Sequence, residues 1–264
     1  ELGHILCEIK ASVHYIVPIS ITSSDSVTGV HKLLEETCSI IKISSYAVRP
    51  EPVFENAVVN TSIIYFKKDL QPAKSILSTK MYRKKGELNL KHLVENLEFI
   101  NVSDVKLIGR YPKISLPIEK NILKKILNQN TKIGDCIKSV GMPIYYRTSG
   151  GRYFKIITNY STGSTKEKPI FFEKKYANSF GAILSSNLYF WFYQIFSNNL
   201  DLKTYEIESF GIPLKKLDDT TIQKLEDVYS EYLKDIERNA KVRQTIHYAN
   251  IESFKEYKIR KSKH

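Results

Sequence analysis

The sequence predicts an α/β layer followed by a second domain of mixed α+β structure. In the first part, apolar runs of strand length flank one segment with helical periodicity, which is typical of a sheet covered by helices. From about Leu116 the pattern changes to short aromatic strands and then to longer helical segments, which indicates a separate domain. A chain of 264 residues, 42% of them hydrophobic, is long enough to bury two cores of this kind.

The first layer is predicted from its strands and the helix between them. The predicted strands are residues 15–19, 40–43 and 58–66. The helix is predicted over 27–38, with N-cap candidates at 23–25. Two prolines within 49–54 interrupt regular structure. The lysine-rich segment 67–87 is expected to be a connector.

The second domain is predicted from aromatic strands and two long helices. The predicted elements are an amphipathic segment at 122–127, strands between 144 and 172, and helices over 180–196 and 218–237. Aromatic residues follow one another in 189–196 and therefore point in all directions, so we expect most of them in the core. The strongly basic tail beyond Asn239 has no helix stop signal.

The charge of the chain favours a polyanionic partner. The formal net charge is +12, and the sequence pI is about 9.3. Lysines and arginines on a nucleic-acid backbone release condensed counterions, so nucleic acid is preferred over a membrane surface. An AT-rich coding sequence would also enrich Lys, Ile, Asn and Tyr together. Charge alone therefore leaves nucleic-acid binding and background composition as alternatives.

Other classes of protein are disfavoured by residue type and spacing. The cysteines Cys7, Cys38 and Cys136 lie far apart, and the six histidines are scattered, so neither a metal site nor a nucleophilic triad is predicted. No run approaches the roughly 18 apolar residues of a membrane span, and the first residues do not resemble a signal peptide. We expect a cytoplasmic protein without a membrane partner.

Residues 12–66 resemble the second half of the catalytic domain of TaqI-type, gamma-class adenine-N6 DNA methyltransferases. The matching blocks are 15–18 (Tyr-Ile-Val-Pro), 30–34 (Val-His-Lys-Leu-Leu) and 53–66 (Val-Phe-Glu-Asn-Ala-Val-Val-Asn-Thr-Ser-Ile-Ile-Tyr-Phe), in the order of the family. The last block is similar to motif VIII, whose phenylalanine stacks on the target adenine after it is flipped out of the duplex. Phe54 matches that phenylalanine.

The second half of the chain is similar to the target-recognition domain of the same family. The similar blocks are 145–154, 183–192 and 206–213. The resemblance implies a Rossmann-like methyltransferase remnant with its connector over residues 1–110, followed by an α+β, TaqI-like target-recognition domain over 111–264. It also implies a bacterial restriction-modification enzyme that transfers a methyl group from S-adenosylmethionine to adenine in double-stranded DNA.

Two family motifs are missing from the sequence. They are the Gly-rich loop that holds S-adenosylmethionine and the Asn/Asp-Pro-Pro-Tyr/Phe loop that binds the adenine amino group. We therefore expect this fragment to bind no S-adenosylmethionine and to be inactive alone. The full-length enzyme would use the cofactor, and the missing N-terminal catalytic half of the same protein would be its partner.

Two sets of residues are candidate functional sites. Phe54 is predicted to stack on the flipped adenine, although a core position at the start of a strand is the alternative. A second set interleaves cations and aromatics around a glycine pair and is predicted to contact DNA, although a solvated hairpin tip is the alternative. It consists of Tyr146, Arg147, Gly150, Gly151, Arg152, Tyr153 and Lys155.

Three functions are compatible with these patterns. The first is a fragment of a site-specific adenine methyltransferase that supplies target recognition and base stacking. The alternative is a non-catalytic DNA-specificity module or subunit that works with a separate methyltransferase chain. A third is a structural protein with incidental basicity, which would bind DNA without sequence preference and lose it at physiological salt.

Overall fold

The computed structural model describes residues 2–54, 58–84, 90–149, 156–247 and 250–257, and the chain divides into two compact units. The first unit consists of Glu1–Leu127 together with Gln194–Asn198, and the second of Asn128–Tyr193 together with Asn199–His264. This division lies further along the chain than the predicted boundary near residue 110. The first unit also includes the short segment Gln194–Asn198, which is distant in sequence from the rest of that unit.

The first unit combines a five-stranded sheet with helices. Its helices are α1 (Leu2–Leu6), α2 (Thr28–Thr37), α3 (Leu90–Glu95) and α4 (Pro117–Leu127). Its strands are β1 (Ser12–Pro18), β2 (Cys38–Tyr46), β3 (Thr61–Lys68), β4 (Ser75–Tyr82) and β5 (Ile100–Asn101). Helix α2 and the strands β2 and β3 confirm elements predicted for the first layer. β1 also ends at Pro18 as predicted, but it is not the buried strand that its apolar residues indicate, because it lies at the edge of the sheet and Tyr15 and Ile16 are exposed.

The sheet is mixed, with strand order β1-β3-β2-β4-β5. β3 is antiparallel to both β1 and β2, so β1 and β2 run in the same direction, and β4 is parallel to β2. Pro18, Thr61, Tyr46 and Tyr82 follow one another in register across the sheet. The carboxyl ends of β1, β2 and β4 therefore lie at one edge, where β3 begins.

One face of the sheet packs against α2. The alternation of β3 buries Ser62, Ile64 and Phe66, as expected for a strand with one covered face. His31 and Leu34 are the buried residues of α2, three positions apart on one side of the helix. Their burial removes apolar surface from water, and this is the main force that holds the helix on the sheet.

The prediction of a connector over residues 67–87 was wrong for its central part. Residues 75–82 form β4, which pairs in parallel with β2. The strand was hidden in the sequence because its buried positions include Ser78 and Thr79, both fully buried. Thr79 Oγ1 accepts a hydrogen bond from the Ser45 backbone at 3.4 Å, so the neighbouring strand satisfies part of this polar group.

The second unit contains short sheets and several helices. Its helices are α5 (Lys174–Leu184), α6 (Asn187–Phe196, with its last turn in the first unit), α7 (Thr204–Glu208) and α8 (Asp219–Asn239). Its strands are β6 (Thr131–Lys132), β7 (Ile137–Lys138), β8 (Met142–Arg147), β9 (Glu167–Phe172), β10 (Gly211–Ile212), β11 (Ala240–His247) and β12 (Asn250–Tyr257).

The core of the second unit is aromatic, as the sequence predicted. Tyr189, Phe192 and Tyr193 of α6 are buried, and the rings of Tyr189 and Phe192 meet the Phe210 ring edge to face. Helix α8 packs against α5 and begins where predicted, because Asp218 Oδ1 accepts a hydrogen bond from the Thr221 backbone at 2.8 Å.

One prediction for the second unit requires correction, and the tail adds an element that was not predicted. The helix predicted over 180–196 is two helices: the first ends at Leu184 with Ser185 as its C-cap, and Ser186 caps the second, where its Oγ accepts from the Tyr189 backbone at 3.1 Å. The tail beyond Asn239 contains an antiparallel hairpin, in which Ala240 pairs with Tyr257 and His247 with Asn250.

Candidate nucleic-acid interface

Phe54 lies in the loop from Ala47 to Asn60 that joins β2 to β3 at the carboxyl edge of the parallel strands. Its ring is partly exposed and meets the Tyr46 ring edge to face, with centroids 6.1 Å apart and planes at 81°. The Tyr46 ring in turn packs near the Tyr82 ring, with 6.2 Å between the two centroids. Phe54 is thus the outer member of an aromatic cluster formed where β2 and β4 end.

The aromatic cluster has a buried centre. Tyr46 is 1% exposed, and its hydroxyl donates to Ser44 Oγ at 2.9 Å. Burial raises the pKa of the Tyr46 phenol, an effect that the hydrogen bond with Ser44 partly offsets. Tyr46 is therefore a neutral apolar support, and Phe54 and Tyr82 on either side of it are partly exposed.

The loop that carries Phe54 is held at both ends by polar contacts. Asn60 Oδ1 accepts from the Val48 backbone at 2.8 Å, and Asn60 Nδ2 donates to the Asn198 carbonyl at 2.9 Å. Glu51 bridges to Lys84 beyond the end of β4, with 3.9 Å between Oε2 and Nζ. Asn60 was not among the candidate site residues predicted from the sequence, although asparagine before a β-branched strand is a recognisable loop signal.

The residues predicted to contact DNA begin at the end of β8, which pairs with β9 in an antiparallel hairpin. Tyr145 exchanges two backbone hydrogen bonds with Thr158, of 2.7 and 3.1 Å, which folds the segment after the glycine pair back beside β8. Residues 150–155 lie outside the described residues, so the predictions for Gly150, Gly151, Arg152, Tyr153 and Lys155 are not addressed by the structure.

The two described members of the predicted DNA-binding set differ in position. Tyr146 is 3% exposed, and its hydroxyl lies 3.0 Å from Thr204 Oγ1, so its ring packs in the second unit. Arg147 is partly exposed and lies opposite Glu167 in the β8–β9 register. Burial raises the pKa of the Tyr146 phenol, and the negative charges of Glu208 and Glu206 add to this effect.

A cleft of about 380 Å³ opens beside the same hairpin. Its lining includes three lysines that the sequence analysis did not select, Lys166, Lys168 and Lys203. The alternation of Lys166 and Lys168 along β9 could have indicated that both side chains share one face. Lys203 is far from Lys168 in sequence, and only the fold brings it to the same cleft.

A partly buried polar network lies elsewhere in the first unit, beside α2. The His31 ring stacks on Tyr111 with centroids 4.0 Å apart, and the Tyr111 hydroxyl donates to Glu35 Oε1 at 2.8 Å. Lys106 pairs with the same carboxylate. Burial raises the pKa of Tyr111, as does the adjacent Glu35 charge. Each of these groups has its partner inside the network, which is typical of a structural role.

The described residues do not fit the cofactor that the family resemblance implies. Gly109 and Gly163 have positive φ of 67° and 77°. Gly109 belongs to the turn Leu107–Arg110, and Gly163 precedes β9, so neither turn joins a buried strand to a helix as a dinucleotide-type loop does. Within the described ranges there is also no group of three or more potential metal-ligating residues.

Comparison with known proteins identifies no family for this chain. The sequence matches no family profile, and it has no significant match among curated proteins. In the described part of the chain, none of the helices combines the length and the apolar character that crossing a membrane requires.

Proposed function

We propose that this chain is the DNA-recognition and base-stacking part of a site-specific adenine-N6 DNA methyltransferase. The observation that supports the proposal is the position of Phe54. Its partly exposed ring stands at the edge where the parallel strands end, and in open α/β sheets ligands bind outside the carboxyl ends of the strands. A base flipped from the duplex needs an apolar face to replace the stacking that it loses.

The roles of the two units follow from this proposal. In the first unit, Phe54 holds the ring of the flipped adenine, and the buried Tyr46, which packs on Tyr82, supports Phe54 from behind. In the second unit, the β8–β9 hairpin contacts the DNA. When bound to the whole enzyme, S-adenosylmethionine supplies the methyl group, and the residues that bind it and the adenine amine belong to a segment other than this one.

Duplex binding by the 264-residue chain tests the proposal directly. We expect binding whose affinity falls steeply as salt rises, because the net charge of +12 allows several phosphates to be neutralised. Selection from a random duplex library should enrich one sequence, since base contacts add specificity to the phosphate term. Fluorescence anisotropy between low and physiological salt measures the first effect, and sequencing of the selected duplexes measures the second.

Two outcomes would contradict the proposal and support one of the alternative functions instead. Binding that vanishes at physiological salt with no enriched sequence would instead support a structural protein with incidental basicity. Sequence-specific binding, together with a methyltransferase motif set encoded only on a separate chain, would support the non-catalytic specificity subunit.

A further inference from the structure

The cleft in the second unit has one wall formed by the paired strands β8 and β9. Tyr146 lies opposite Lys168 in this antiparallel pair, and residues directly opposite each other point to the same face. Lys166 lies two positions before Lys168 and therefore on that face too. Its carbonyl accepts both the backbone N–H and the hydroxyl of Thr148, at 2.8 and 3.0 Å, which extends the wall by one further pair.

The other wall is the segment that leads into α7. The Leu202 backbone donates to the Thr148 carbonyl at 3.0 Å, and Ser149 forms a bridge with Asp201, so this segment runs beside the end of β8. Lys203 follows directly and is exposed. The hydroxyls of Tyr146 and Thr204 meet across the cleft at 3.0 Å, which ties the two walls together.

The cleft carries an excess of positive charge. Three lysines and one aspartate, Asp201, line it. Lys166, Lys168 and Lys203 are exposed, and among the described residues no carboxylate lies within ion-pair distance of their ammonium groups. Glu167, between two of them, points to the other face of the strand.

The Glu167 carboxylate is also engaged with its own loop. Its oxygens accept hydrogen bonds from Ser161 Oγ and from the Thr162 backbone, at 2.7 and 3.1 Å. A carboxylate held in this way does not neutralise the neighbouring lysines. The β9 strand thus separates its charges, with the acid bound to the loop on one face and both ammonium groups in the cleft on the other.

We infer that this cleft binds the phosphodiester backbone of DNA through Lys166, Lys168 and Lys203. Lysine ammonium groups together with Ser and Thr hydroxyls are the donors that proteins use on phosphate oxygens, and Ser149 and Thr204 provide the hydroxyls here, whereas the Thr148 hydroxyl already donates to the Lys166 carbonyl. The inference rests on the proposed function and extends it. The cleft positions the duplex, while the adjacent hairpin reads it.

The salt dependence of DNA binding tests the assignment. A triple variant, Lys166→Gln, Lys168→Gln and Lys203→Gln, is compared with a control of equal charge, Lys216→Gln, Lys224→Gln and Lys234→Gln, at exposed positions of the same unit. The logarithm of the binding constant falls linearly with the logarithm of the salt concentration, and each lost phosphate contact makes this slope shallower by about 0.9. We expect the magnitude of the slope to decrease by about 2 to 3 in the cleft variant and by less than about 1 in the control.

Four further variants complete the test, and two outcomes would contradict the inference. Replacing the three cleft lysines with arginine should retain the slope, because the charges are kept. Each single Lys→Gln change should decrease the magnitude of the slope by about 0.9, the value for one phosphate contact. If the cleft and control variants lose equal slope, the cleft inference is overturned while DNA binding by the chain stands. If the unchanged chain does not bind duplex DNA even at low salt, the proposed function fails and the inference fails with it.

Discussion

The stacking and the core interpretations of Phe54 predict opposite effects of the same substitution. Its ring packs edge to face on Tyr46 and is partly exposed, so truncating it removes this contact and leaves a smaller cavity than truncation of a fully buried phenylalanine would. In the complete enzyme we expect Phe54→Ala to lower methyl transfer by about 5- to 150-fold, which corresponds to roughly 1–3 kcal/mol of lost base stacking. Phe54→Trp should retain more activity, since it restores an aromatic face.

Thermal melting of the same variants is the control for Phe54. A fully buried phenylalanine would cost about 3–5 kcal/mol when changed to alanine, and tryptophan would overpack the site. We expect a small shift in melting temperature, with DNA affinity nearly unchanged because the phosphate and groove contacts that we propose lie in the other unit. A large melting shift with normal activity per folded molecule would show that Phe54 is a core residue.

His31 makes the stability of the first unit dependent on pH. Burial lowers the pKa of His31 and Lys106 lowers it further, against the opposing effects of the Ile21 carbonyl and of Glu35. The unfolded chain, with a histidine pKa near 6.5, therefore binds a proton before the folded chain does. Stability is fully present above about pH 6.5 and declines as the pH falls below it, by at most about 1.4 kcal/mol per pH unit.

Chemical denaturation at several pH values measures the contribution of His31. His31→Gln should flatten the loss of stability between about pH 6.5 and 5, because it removes the titrating group. His14→Gln, at an exposed position of β1, is the matched control. An unchanged pH profile in His31→Gln would mean that another group causes the acid sensitivity.

At the scale of the elements, the contact between α5 and α8 depends on the absence of a side chain at Gly181. A Cβ built there would lie 2.4 Å from Tyr229 Cζ. Tyr229 cannot move aside cheaply, because it is 1% exposed and its hydroxyl donates to the Ile157 carbonyl at 3.0 Å. We expect Gly181→Ala to destabilise the chain by about 1–3 kcal/mol through overpacking, in spite of alanine's higher helix propensity.

A second glycine provides the control for Gly181. Gly29 is also helical, in α2, but a Cβ there would have no neighbour within 4 Å. Gly29→Ala should therefore be neutral or stabilising by up to about 1 kcal/mol, because only helix propensity changes. Equal effects of the two substitutions in denaturant unfolding would contradict the close approach of α5 and α8.

The elements that the sequence predicted are those with a regular apolar period. β1, α2, β3 and α8 have such a period or a clear cap, and each was predicted near its observed position. β4 was missed because its buried positions include serine and threonine, whose hydroxyls find partners in the folded sheet and therefore break the apolar alternation of a buried strand. The break between α5 and α6 was missed because the apolar pattern continues through it, and one serine cap decides the boundary.

The candidate site was predictable only where it is local in sequence. Phe54 was selected from its motif, and Tyr146 from its cation-aromatic pattern, but the burial of Tyr146 depends on Thr204, far along the chain. The cleft lysines could not be grouped from the sequence for the same reason. Lys203 reaches Lys166 and Lys168 through the pairing of 201–202 with 148–149, which no periodicity indicates.

At the scale of the whole molecule, we expect the chain to be inactive without the segment that binds the methyl donor. The Gly-rich loop and the Asn/Asp-Pro-Pro-Tyr/Phe loop are not in the sequence, so neither the donor nor the adenine amine has its usual ligands. Calorimetric titration of the chain with S-adenosylmethionine should give no measurable heat of binding. Micromolar binding would mean that the chain holds a donor site of a different kind.

The return of Gln194–Asn198 to the first unit affects the order in which the chain can fold during synthesis. The buried Lys113 ammonium donates to the carbonyls of Ile195 and Ser197, each at 2.8 Å, and Asn60 donates to the carbonyl of Asn198. A ribosome that has made only residues 1–127 has not yet produced these acceptors. Although N-terminal domains generally fold first as they emerge, this unit reaches its native state only after residue 198 has left the exit tunnel. Until then, Asn60 cannot complete the anchor of the Phe54 loop, and the nascent chain exposes an unfinished unit to chaperones and proteases.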